Sequence, residues 1–198
     1  MMKPLIRNLS MIALLVLGLM TASACTKSAD KGYSAEMQAK IDQMKLELQK
    51  FTDERAMVGK NLETFDTLDF VVFSNQEWVR LHESHAQDVI VDWPDGHKTN
   101  GLERHIEDLK AMFVYAPDTK IKIHPVKFGS NDFTCVTGIM TGTFTKPMPI
   151  GNGKFIPPTG KSFSLPMCTV GHWKDGVMIE EWLFWDNATY MKQIGAGG

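Results

Sequence analysis

The stretch 157-PPTGKSFSLPMCTVGHWKDGVMIEEWLFWDNATYMKQIG-195 decides the fold. It carries Lys174-Asp175-Gly176 between two alternating runs. An Asp-Gly pair in that setting predicts a β-hairpin, because glycine takes the positive φ that a tight turn needs. Alternation puts Met178, Glu180, Trp182, Phe184 and Asp186 on one face of the last strand and Val177, Ile179, Glu181, Leu183 and Trp185 on the other. Both faces are largely apolar, which marks an interior strand. Asp186 follows Trp182 and Phe184 on its face, so it is either a cap at the strand end or a buried acid.

Working outward from the hairpin, residues 145–159 are rich in Pro and Gly and predict a loop. Residues 133–144 predict a long strand in which Gly138 and Gly142 permit sharp bending. Ile121 and Ile123 alternate with lysines, as in a strand wet on one side. Asn100-Gly101-Leu102-Glu103 predicts a helix start, with Ile106, Leu109, Met112 and Phe113 on one face and Pro117 as the stop. Residues 88–93 form a short β-type run halted by Pro94-Asp95-Gly96. Ser74-Asn75-Gln76-Glu77 has the form of a capping box and predicts a helix running through His85.

Ser34 predicts the N-cap of an earlier helix, in which Met37, Ile41, Met44, Leu48 and Phe51 are spaced 4, 3, 4, 3. Gly59 is its expected end. This amphipathic helix, residues 34–58, either lies on its own domain or serves as a dimerising stalk, giving a homodimer.

The chain has 198 residues, 43% of them hydrophobic, and a net charge of −2. That is enough apolar material for one domain, here residues 59–198, and the charge leaves no electrostatic footprint for nucleic acid. Lys3 and Arg7 precede an apolar run, residues 11–20, followed by Thr21-Ala22-Ser23-Ala24-Cys25, the order of a secretory signal peptide over residues 1–24. The run is too short for a stable membrane span. Small residues ahead of Cys25 predict a lipoprotein whose cysteine becomes the lipidated terminus, tethered by residues 25–33, although Ala22 stands where such a box prefers Leu. Plain secretion is the alternative. The expected location is a bacterial cell envelope, facing the periplasm from a lipid anchor, or otherwise periplasmic or secreted.

Several motifs in order carry a family resemblance: Gly101 opening a helix that closes at Ala116-Pro117-Asp118, then Thr141-Gly142-Thr143 and Pro158-Thr159-Gly160-Lys161. Asp175-Gly176-Val177-Met178-Ile179-Glu180-Glu181-Trp182 and Asp186 before Gln193-Ile194-Gly195 complete the set. Over roughly residues 60–195 the chain resembles the SnoaL-like polyketide (ester) cyclase family, within the NTF2-like group. The resemblance implies an α+β fold: an NTF2-like cone, with a strongly curved, mostly antiparallel sheet wrapped around N-terminal helices and one internal pocket. It also implies aldol-type ring closure without metal or cofactor, with Asp186 at the position of the general acid/base and His172 at the second polar position. Trp182 and Phe184 then flank the acid in the pocket. Asp92 stands where the family often has a histidine, and with His85 it is placed at the pocket mouth.

Geometry weighs against one of these. A tight turn at residues 174–176 leaves His172 about eight residues along the strand from Asp186, roughly 25 Å at the usual rise. His82, His85 and Asp88 are spaced three apart as metal ligands on a helix would be, but the expected helix-to-strand junction at Ala86 breaks that face, so no metal is expected. Cys135 and Cys168 flank the long loop on strands expected to pair, as a disulfide or as two buried thiols.

Three functions follow as expectations. The first is an exported, cofactor-independent cyclase or isomerase acting on a small apolar carbonyl compound. The second is a noncatalytic envelope lipoprotein holding a small hydrophobic ligand. The third is an accessory protein whose first helix binds a protein partner. Export argues against polyketide ring closure itself, whose intermediates are made in the cytoplasm.

Overall fold

The computed structural model describes residues 33–197. The signal segment, Cys25 and all of the tether but Tyr33 lie outside them. Among the described residues no helix is long and apolar enough to cross a membrane. Two compact units divide the chain, Met1–Met44 and Lys45–Gly198, and the sheet and the site lie wholly in the second.

Helix α1, Ala35–Thr67, starts as expected: Ser34 Oγ accepts a bond from the Met37 N–H at 3.2 Å. It does not stop at Gly59. A glycine inside a helix costs only about 1 kcal/mol relative to alanine, and Asn61 and Phe65, both buried, anchor the next turns. Met37, Met44, Leu48 and Phe51 of the apolar seam are exposed.

A six-residue π-helical turn, Leu68–Phe73, then buries Leu68, Asp69, Val72 and Phe73 together. Ser74 is not the N-cap that the capping-box pattern implied. Its hydroxyl is buried, accepts from Ile121 N–H at 2.9 Å and lies 2.6 Å from Asp69 O, pinning the turn to the sheet. Only a short 3₁₀ helix, Trp78–Glu83, follows, so His85 opens a strand instead of closing a helix.

The remaining elements are β1 (His85–Asp92), β2 (Lys98–Asn100), α2 (Leu102–Tyr115), β3 (Lys120–Ile121), β4 (Lys127–Ser130), β5 (Phe133–Thr143), β6 (Met148–Pro149), β7 (Phe155–Ile156), β8 (Ser162–Lys174), β9 (Val177–Trp185) and α3 (Asn187–Gln193). The large sheet runs β2-β1-β9-β8-β5-β3, with β4 also on β5. All pairings are antiparallel except β1 with β9. The result is the expected α+β architecture, a curved, open sheet with helices at its amino-terminal end. Residues 145–159 are not featureless: β6 and β7 pair as a small second sheet.

The β8–β9 hairpin turns at Asp175 and Gly176, whose φ values are 53° and 84°, as a tight turn of this hand requires. Its register then slips. His172 pairs with Glu180 while Trp173 pairs with Met178, so Ile179 is an extra residue on β9. This bulge reverses the alternation. Met178 comes to share the inner face with Glu181, Leu183 and Trp185, where simple alternation had set it with Glu180 and Asp186. Gly171 makes this fit: a Cβ there would lie 2.6 Å from the Met178 sulfur. Leu81, Val89, Val91 and Met178 are fully buried, each contributing about 1.5–3 kcal/mol.

Candidate functional site

The inner face of β9 ends in a cavity of about 40 Å³. Its walls are mostly apolar, among them Phe73, Leu109, Met140 and Leu183, and four ionisable side chains converge on it: Asp69, His85, His105 and Glu181. Each comes from a different element. Asp69 rides the π-helical turn, whose extra residue per turn leaves it inward beside Leu68. His85 is the first residue of β1. His105 occupies the buried stripe of α2 with Leu102, Leu109 and Phe113, at helical spacing. Glu181 is turned inward by the bulge at Ile179.

All four are at most 8% exposed. Glu181 Oε2 lies 3.6 Å from His85 Nε2 and 3.5 Å from His105 Nε2, just beyond hydrogen-bond length. The two imidazole rings are 5.1 Å apart. His85 Nδ1 is held from behind by Ser84 Oγ at 2.9 Å and Leu81 O at 3.3 Å. His85 Nε2, His105 Nδ1 and Glu181 Oε2 are buried without a hydrogen-bond partner. Burial would push the Glu181 carboxyl up, but the His85 and His105 rings outweigh it and hold it below the usual carboxylate range. Burial pushes the His105 imidazole down to about 4, which leaves it neutral near pH 7.

Asp69 leads away from the cavity. Its Oδ2 is 2.8 Å from His124 Nε2, and His124 Nδ1 is 2.8 Å from Asp66 Oδ1, at the surface beside Lys127. Burial raises Asp69 above the usual carboxylate range despite its bond to His124. Burial opposes the charge on His124, yet its bonds to Asp69 and Asp66 raise its pKa.

A second hollow of about 310 Å³ adjoins the cavity and shares Trp93, Met112, Met140 and Trp185 with it. These side chains line both the small cavity with its ionisable cluster and the larger apolar vestibule. Tyr115 and Tyr190 stand on the vestibule side.

Of the residues singled out from sequence, only His85 reaches the cavity. Asp186 is exposed and caps α3, accepting from Ala188 N–H at 2.9 Å and from the Thr189 hydroxyl; the bond from Thr189 holds its pKa down, where a pocket acid would need it raised. Phe184, 53% exposed, shares that outer face, and Trp182 is half-buried against Phe133. His172 lies on the outer side too, with Nε2 3.1 Å from Asp132 and Nδ1 3.0 Å from Glu180, its ring stacked on Phe133. Asp92 pairs with Lys98 at 3.0 Å. The bulge accounts for the placements on β9: with one residue added, the face of Glu180, Trp182, Phe184 and Asp186 turns outward. His82 and Asp88 are exposed while His85 is buried, so that trio does not converge. Cys135 and Cys168 are free thiols with sulfurs 3.5 Å apart, and burial together with Cys135 pushes Cys168 up to about 11.

Glu181, His105 and Asp69 were missed from sequence. One signal for Glu181 was present: it is the single carboxylate on a face otherwise made of Val177, Ile179, Leu183 and Trp185. For His105 the signal was its place in the Leu102–Leu109–Phe113 stripe.

Solved structures share the fold, three of them as follows. A protein from Jannaschia sp. CCS1 described as a SnoaL-like polyketide cyclase superposes with TM-score 0.62 at 22% identity, over 71% of this chain and 94% of its own. IdmH, described as a polyketide cyclase from Streptomyces antibioticus, gives 0.58 at 22% identity, over 68% and 98%. A protein of ketosteroid isomerase-like fold from Catenulispora acidiphila DSM 44928, in complex with trimethylamine, gives 0.53 at 12% identity, over 68% and 92%. No curated protein matches the chain. The sequence profile of SnoaL-like polyketide cyclases matches residues 66–194, the span from the surface end of the Asp66–His124–Asp69 chain to the last turn after α3. On that match, which covers most of the chain and every residue of the cavity, the protein belongs to the SnoaL-like polyketide cyclase family.

Proposed function

We propose that the protein binds a small apolar carbonyl compound, its body in the vestibule and its carbonyl head in the inner cavity, and catalyses cofactor-independent proton transfer of the cyclase or isomerase type. One observation carries this: four buried ionisable side chains converge on the end of an otherwise apolar hollow. Glu181, held anionic, takes the proton from the carbon beside the carbonyl. The enolate oxygen so formed needs a hydrogen-bond donor, and the neutral His105 ring supplies one. Asp69, backed by His124, returns a proton to the product, and the starting state is restored when Glu181 releases its proton and Asp69 regains one along His124 and Asp66 from the surface. The apolar walls exclude water and so strengthen each of these contacts.

The amino-terminal segment extends the proposal to place. A basic start, an apolar run and small residues before Cys25 support export to a bacterial envelope, with a lipid at Cys25 as the anchor and, through the exposed seam of α1, a homodimer. In that setting the substrate is a small diffusible ketone or ester, not a carrier-bound polyketide.

Hydrogen–deuterium exchange beside the carbonyl of small apolar ketones, followed by NMR in heavy water, tests the chemistry. Wild type is expected to speed exchange, Glu181→Gln to lose about 10²–10⁴-fold of that acceleration, and Asp186→Asn to keep it. Ketones bound but not exchanged would make the protein a noncatalytic carrier. Exchange lost with Asp186→Asn and kept with Glu181→Gln would move the chemistry to the outer face.

A further inference from the structure

Proton transfer gives roles to Glu181 and His105 but none to His85, whose Nε2 is buried beside them without a hydrogen bond. His85 Nε2, His105 Nδ1 and Glu181 Oε2 are buried with no hydrogen bond, a state that costs about 1–3 kcal/mol per group. The native fold holds them in that state from three elements at once, β1, α2 and β9. The separations are specific as well. Glu181 Oε2 stands 3.6 Å from His85 Nε2 and 3.5 Å from His105 Nε2, so the His105 nitrogen that faces the carboxylate is Nε2 and not the unpaired Nδ1. Hydrogen bonds to a carboxylate would be nearer 2.8 Å. Two ligand atoms on a tetrahedral ion, each about 2.0–2.1 Å from it, lie roughly 3.3 Å apart.

The supporting contacts agree. His85 Nδ1 lies 3.3 Å from Leu81 O and 2.9 Å from Ser84 Oγ, and in the tautomer that donates from Nδ1 to these oxygens Nε2 is free to ligate beside the carboxylate. A ligating histidine is oriented in this way, with its far nitrogen on a carbonyl or hydroxyl.

We infer that His85, His105 and Glu181 form a site for one divalent transition-metal cation of the zinc type. Among the described residues these three alone bring His, Cys, Asp or Glu ligand atoms within 4.8 Å of one another. Two imidazole nitrogens and one carboxylate oxygen suit zinc and its neighbours, not calcium or magnesium, which prefer all-oxygen shells. The cavity has space for a water at the fourth position. The cation regulates the site: with Glu181 Oε2 committed to it, the base for proton transfer is gone. That consequence rests on the function proposed above, whereas the binding does not.

The full chain, stripped with a chelator and dialysed, is titrated with Co²⁺ and followed by visible absorption. One equivalent is expected to give the intense band of a four-coordinate ion, Zn²⁺ to displace it, and the melting temperature to rise on loading. Glu181→Gln and His105→Ala should abolish the band, and Ser84→Ala, behind His85, should weaken binding about 10-fold. His97→Ala and His172→Ala, in the surface histidine–carboxylate clusters, should leave it intact. Contact-shifted N–H signals from two imidazoles in the loaded wild type would identify the ligands even if a variant fails to fold. Only the weak spectrum of the hydrated ion, or a band kept by Glu181→Gln and lost by His97→Ala or His172→Ala, overturns the site. Ketone exchange by metal-free protein that binds no Co²⁺ would sink this inference alone. Co²⁺ binding in a protein that exchanges no ketone would sink the proposed catalysis alone.

Discussion

Glu180 and Glu181 are consecutive residues on β9, and each faces histidine. Glu180 looks outward to His172, half in solvent, with Asp132 as the third member; Glu181 looks inward to His85 and His105, 4% exposed. The outer pair meets at 3.0 Å in an ordinary hydrogen bond, while the inner contacts stop at 3.5–3.6 Å with polar atoms unsatisfied. Water screens and completes the outer cluster at little cost. In the inner one nothing but protein, ligand or ion can complete the bonds. The same residue types therefore amount to a surface ion pair on one side of the strand and a poised site on the other.

The comparison can be tested by breaking histidine–carboxylate contacts on each side. His124→Ala removes the partner of buried Asp69 on the cavity side and is expected to destabilise the fold by about 3–5 kcal/mol, read as a lower urea midpoint. The same experiment supplies a pH signature. His124 has its pKa raised above 6.5 by Asp69 and Asp66, so the folded state holds its proton more tightly than the unfolded chain. Its stabilisation is full below pH 6.5 and fades as pH rises through the folded value. The wild-type urea midpoint should fall across that window, and His124→Ala should flatten the slope.

On the outer side, His172→Ala should cost no more than about 1 kcal/mol, because its carboxylate partners are solvated with or without it. A loss as large as that of His124→Ala would mean that the outer cluster is structurally equivalent to the inner one. The smallest effect belongs to Asp186→Ala. Fraying of α3, visible as faster amide exchange at Ala188 and Thr189, is expected with a slight drop in melting temperature, and ketone exchange should not change. Loss of exchange in this variant would return the acid to the chemistry.

What could be read from the residues alone follows the range of the interactions. The Asp175-Gly176 turn, the helix opened at Gly101 and stopped before Pro117, and the long strand from Phe133 are local, set by turn geometry, caps and periodicity within a dozen residues. The family resemblance supplied the curved sheet and the enclosed pocket. Helix α1 runs on past Gly59, its expected end, because a single glycine costs less than the packing of Phe65 beyond it regains. Ser74 was misread because its true partner, Ile121, is 47 residues away.

The site was less legible than the fold. Its four side chains meet through the parallel pairing of the first long strand with the last, which no turn specifies, and through a π-helical turn and a bulge that each add one residue to a regular element. One added residue on a strand exchanges its two faces, so the same alternating sequence that named Asp186 as the acid placed Glu181 in the cavity once Ile179 bulged out. The sequence by itself determined the elements, the hairpin and the set of candidate acids and bases. Only the tertiary structure decided which carboxylate is buried, because burial depends on register, and register is settled by how the whole sheet packs against its helices.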